Sequence, residues 1–159
     1  MGRAERLSSK TMYRNTYIKV LTVVAVWTIA SAAMPAGPDL KEIMQGLRDD
    51  VVGITDGLLI DDFPSVIESA GRIASHARIA DEQIQLVAAE LGPEMATFKQ
   101  FDILVHNLAL SIAAAAKEGD RDKAIADYQS MLTSCLACHA AYRDRIGAVL
   151  GEQTATDIP

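Results

Sequence analysis

An all-α fold, an antiparallel up-down-up-down four-helix bundle, is predicted by three observations. Apolar residues recur at alternating steps of three and four through four separate segments, the period of a helix with one buried face. The apolar residues, half of the chain, are dominated by Ala, Leu, Ile and Val with only 5% aromatics, a balance that leans helical. No segment shows strand alternation, and the connections are short, which places successive helices antiparallel. At 159 residues the chain suits one domain with a proper core.

The first stripe is Leu40, Met44, Leu47, Val51, Ile54 and Leu58, introduced by Pro38 and Asp39; it predicts a helix over about 38–60. Asp61-Asp62-Phe63-Pro64 offers a turn with Pro at the first helical position. Val66 or Ile67, Ala70, Ile73 and Ala77 then carry a second helix to about Ala77. Residues 78–93 are less regular: Asp81 caps a short helix through Ile84, Val87 and Leu91, stopped by Gly92, or the stretch extends the second helix. Phe98, Phe101, Val105, Leu108, Ile112 and Ala115 form the third stripe, closed by Lys117-Glu118-Gly119. The fourth runs from after Asp120 to before Gly151 through Ile125, Tyr128, Leu132, Cys135, His139, Tyr142, Ile146 and Val149, so Cys135 and His139 are expected on its core face.

The N-terminal stretch stands apart. Arg3, Arg6, Lys10, Arg14 and Lys19 face a single Glu5, and the apolar run Val20–Ala30 ends in Ser31-Ala32-Ala33. A basic region, a short apolar region and small residues make a secretory signal, with cleavage expected before Ala33. The domain is then 33–159 and its location the periplasm. The rival is an uncleaved anchor, but the fifteen residues between Lys19 and Pro35 fall short of the ~20 that a spanning helix needs.

Cleavage after residue 32 removes five of the 15 basic residues and one of the 21 acidic ones, leaving a net charge of −10. Nucleic acid and anionic membrane surfaces are excluded as partners, because both require a basic footprint. A protein partner with a basic docking surface and a homodimer are both permitted.

The only two cysteines lie in Cys135-Leu136-Ala137-Cys138-His139. Thiols three residues apart reach the two vinyl groups of a porphyrin, and the adjacent imidazole lies under the iron as its proximal ligand. The pattern therefore points to one covalent haem c. A disulfide is the competing chemistry after export, but a redox Cys-x-x-Cys is expected near a strand–helix junction. A structural zinc site wants a fourth ligand and usually a second Cys pair.

On the other side of the iron, the antiparallel arrangement brings Met44, His76 and Met95 toward the end of the bundle that holds His139. Met131 is on the same helix as His139, and His106 lies about twelve residues into the third helix, roughly 18 Å from its start. Both are set aside as ligands. Met44 is equally predicted by ordinary core packing, at which Met is adept. His76 reads as a helix-end histidine and Asp102–His106, one turn apart, as a hydrogen-bonded pair.

Cys135-Leu-Ala-Cys138-His139-Ala-Ala-Tyr142-Arg143, and more weakly Ile43-Met44-Gln-Gly-Leu-Arg48, resemble the class II c-type cytochromes, the cytochrome c′ family and its low-spin relatives. The likeness spans about residues 38–150. It implies a four-helix haem domain in which Met44 completes the iron coordination opposite His139 and Arg143 lies near a haem propionate. The stretch from Arg78 to Gly92 departs from the family pattern. The expected function is one-electron transfer between redox partner proteins, without enzymatic activity: no Ser/His/Asp pattern or glycine-rich phosphate loop is present. The alternative implied by the resemblance is a five-coordinate haem protein that binds small gases such as NO or CO. A third reading is a helical interaction module without haem.

Overall fold

A computed structural model describes residues 38–151, which belong to the unit formed by residues 36–159. The signal-peptide assignment to residues 1–32 lies outside the described residues. Every regular element among the described residues is helical: α1 (Leu40–Ile60), α2 (Phe63–Ala74), α3 (Asp81–Leu91), a 3-10 turn (Gly92–Glu94), α4 (Met95–Glu118) and α5 (Arg121–Val149). None of these helices is long and apolar enough to cross a membrane.

The helix starts follow side-chain capping. Asp39 accepts from the Glu42 amide, Asp62 from the Ser65 amide and Asp120 from the Lys123 amide, each satisfying a first-turn N–H that has no partner within the helix. Two local expectations differ. Pro64 is the second residue of α2, and Asp81 opens α3 rather than capping it: Ala80 holds the extended cap position (ψ 141°), and Asp81 and Glu82 sit in the first turn, where negative charge favours the helix dipole. The second helix stops at Ala74, three residues before the predicted end, with Ser75 as its C-terminal cap. Gly119, in the left-handed region at φ 73°, closes α4 as its Lys-Glu-Gly ending predicts.

Two apolar clusters hold the helices together. Ile54, Val66, Ala70, Ile73, Ala109, Ile112, Ala116 and Met131 join α1, α2, α4 and α5. Leu40, Val87, Leu91, Tyr142 and Ile146 join α1, α3 and α5. The irregular stretch is therefore a folded element. The α3 residue Gln83 accepts from the Leu40 amide at 2.7 Å, and Arg145 of α5 reaches Glu90 and Glu94 at 3.2 and 3.0 Å.

Helix α4 packs along both α2 and α5, and α2 along α1. The α1–α2 crossing is close at Gly57, where an added Cβ would stand 2.8 Å from Val66 Cγ2 and 2.9 Å from the Asp62 carbonyl oxygen. Gly57→Ala is expected to destabilise by about 1–3 kcal/mol, reversing the sign of the helix-propensity gain. Urea unfolding of the variant beside Gly46→Ala, a position with open space around it, measures the difference.

Candidate functional site

Side chains of α1 and α5 bridge the two helices at one level, and a groove lies between them at another. At the first, Thr55 and Tyr128 share a hydrogen bond and the Tyr128 hydroxyl donates to the Val51 carbonyl. Toward the start of α1 a groove opens between them in two lobes of about 240 and 320 Å³. Met44, Arg48, Phe98, Cys138 and His139 line both lobes. Cys135 faces the larger lobe; Arg143 and Lys41 line the smaller.

The groove changes the expected burial of α5. Its buried residues are Ala124, Met131, Ser134, Tyr142 and Ile146, a stripe turned from the predicted one. Cys135 and Cys138 are half-buried and His139 is exposed, so His139 is not on the closed core face. The reason is that α5 serves two neighbours. One face packs on α4, while the Cys135–His139 face looks across the groove toward α1.

On the opposite wall the same division separates Met44 from its neighbour. Ile43 is buried, whereas Met44 is 38% exposed and belongs to neither apolar cluster. The groove position, rather than core packing, accounts for its place on the stripe. Met131 fills the first cluster completely buried, and Met95 packs against the second. His106 is half-buried on α4. Asp102 bonds not to His106 but to His76 Nε2, at 3.1 Å across to the end of α2; His76 lines the larger lobe.

Phe98 and Phe101 stand edge-to-face on the buried Tyr142 ring, with centroids 5.7 and 6.2 Å away. Such T-shaped pairs add about 0.5–1.5 kcal/mol each beyond burial, and they stiffen the groove floor beside Cys138. Lys41, Arg48 and Arg143 bring three cations to the groove. Arg48 also bonds Asp49 at 2.9 Å, and Arg143 stands 3.5 Å from Asp144. Roles for Lys41, Arg48 and Phe98 were not assigned from sequence. The signal existed in the one-face spacing 41, 44, 45, 48, but its meaning depends on which helix lies opposite.

Burial pushes both thiols up. Cys135 is raised by desolvation; Cys138 is pushed to about 11 by desolvation first, then by Cys135 and the Asp102 charge. Near neutrality both are protonated in the folded, unmodified chain. Iodoacetamide is therefore expected to modify them about tenfold more slowly than in the urea-unfolded chain, the thiolate being the nucleophile. Because the folded value of Cys138 is raised, its stabilising contribution is present below about pH 9 and is lost as pH rises toward about 11. A denaturation midpoint that does not fall over that interval contradicts the assignment.

The donor set along the groove is two thiols and an imidazole on one wall and a thioether on the other. No group of three or more His, Cys, Asp or Glu side chains among the described residues stands ready to hold a metal ion. The chain matches no family model, no curated protein and no solved structure.

Proposed function

We propose that the chain is a periplasmic c-type cytochrome of the low-spin class II kind, an up-down-up-down antiparallel bundle that transfers single electrons and is not an enzyme. The observation that carries this reading is that Met44 and His139 line both lobes of one groove, with Cys135 and Cys138 beside them. The Cys-x-x-Cys-His spacing supplies the chemical argument. A haem c supplies a one-electron iron couple when bound.

The residues of the chain have separate tasks. Cys135 and Cys138, one turn apart, would tether a haem through thioethers. His139 would offer its imidazole from α5 and Met44 its sulfur from α1 to the iron. Phe98, Leu47 and Val51 line the groove with apolar surface and limit water, and Arg48 and Arg143 offer charge to the propionates. The expected partners are redox proteins, and the expected location is the periplasm, on the reading of residues 1–32 as a secretory signal.

The deciding experiment is a pyridine haemochrome assay and optical spectra of the purified protein in both redox states. A c-type haemochrome with low-spin spectra that do not change under carbon monoxide is expected. A high-spin ferrous form that binds carbon monoxide assigns the five-coordinate gas-binding alternative. No haem at all overturns both.

A further inference from the structure

His76 makes contacts that electron transfer through Met44 and His139 does not use. It follows α2, and its ring borders both the larger lobe of the groove and a separate pocket of about 200 Å³ between α1 and α2. Its Nδ1 lies 2.8 Å from the Ala77 carbonyl oxygen and its Nε2 3.1 Å from Oδ1 of Asp102 on α4. Both partners are acceptors. A neutral imidazole has one N–H, so the two bonds are made together only by the doubly protonated ring. The side chain is 23% exposed, which leaves it able to exchange a proton with solvent.

The charge of this pair reaches the groove. Asp102 lines the same lobe as Cys138 and is one of the charges that raise the Cys138 thiol. Other titratable or charged groups line the same cavities as His76. Glu42 and Asp50 of α1 and Arg72 of α2 share the separate pocket, while Arg48 of α1 and His139 of α5 share the groove. Arg72 is held at 2.6 Å by both Asp50 and Glu68, so its charge is locally compensated. Asp102 is the carboxylate within hydrogen-bond distance of the ring.

We infer that His76, held by Asp102, is a proton-binding site coupled to the redox state of the groove, so that electron uptake draws a proton onto the ring. This rests on the electron-transfer reading above. The electron comes from a one-electron donor protein and the proton from solvent water. The proton adds to a ring nitrogen, held between Asp102 and Ala77, and on oxidation electron and proton both leave. Uptake is up to one proton per electron. Coupling is reciprocal: if added negative charge in the groove tightens the proton on His76, a proton on His76 must favour reduction.

The test is a spectrophotometric redox titration of the haem-loaded chain at several pH values between about 5 and 8, where histidine charge changes. The midpoint potential is expected to fall as pH rises. His76→Gln is expected to flatten that dependence with the axial-ligand bands unchanged, while His106→Gln keeps it. The chain has three histidines in all, so this contrast isolates His76. An unchanged slope in His76→Gln overturns the inference. If that variant does not fold, Asp102→Asn is read instead: the sloping region is expected at lower pH, and an unmoved region overturns the inference. A protein without c-type haem in the pyridine assay refutes the electron-transfer reading itself, whereas a haem protein with a flat profile refutes only the coupling.

Discussion

Replacing Cys135 and Cys138 together by Ser is expected to abolish covalent haem attachment completely, the largest effect of any change to this chain. Serine hydroxyls do not add to vinyl groups as thiols do, so haem in the double variant should be extractable with acidified acetone and absent from a denaturing gel stained for peroxidase activity. Each single variant should retain one thioether and stay stained. The helices should persist, because both side chains are half-buried and neither is a member of the fully buried clusters; the cost is about 1 kcal/mol per site. Circular dichroism separates loss of the tether from loss of the fold. Covalent haem persisting in the double variant contradicts the assignment of these thiols. Wild-type protein that instead releases two thiols only after reduction supports a disulfide.

Met44→Ala is expected to convert the ferrous protein from low-spin to high-spin and to open it to carbon monoxide. The distinction between a ligand and a packing methionine can be read from two numbers. A residue that is 38% exposed and outside the core should lose under about 1 kcal/mol of chain stability on truncation. Met131, completely buried among Ile54, Ile112 and their neighbours, should lose about 2–5 kcal/mol on the same substitution without altering iron coordination. A Met44→Ala protein that is as destabilised as Met131→Ala, and has an unchanged spectrum, reverses the two roles.

Much of the helical layout was legible because its signals are local. Asp39, Asp62 and Asp120 mark starts through bonds to amides three residues on, and Gly119 ends α4 with a left-handed turn. The errors are also local. Helix α2 ended at Ala74 before the apolar period did, and Ala80 rather than Asp81 took the cap position. The 78–93 stretch was ambiguous because its stripe is short. Val87 and Leu91 acquire their meaning only when Leu40, Tyr142 and Ile146 converge on them from helices far away in sequence.

For the site, the spacing of Cys135, Cys138 and His139 was sufficient to propose a tethered haem, since residues three and four apart on a helix share a face whatever surrounds them. Periodicity did not separate Ile43 from Met44, or the packed face of α5 from its groove face, because a helix flanked by several neighbours has more than one apolar stripe. Nor did it reveal that Asp102 reaches His76, just beyond α2, instead of His106 on its own helix. The sequence by itself determined the helices and their principal caps, set by bonds within a few residues, and it carries the Cys-x-x-Cys-His spacing on which the haem proposal rests. The groove that Met44 and His139 share and the His76–Asp102 pair were decided by tertiary structure alone. Each depends on the approach of side chains from different helices, and hydrophobic period does not encode that distance.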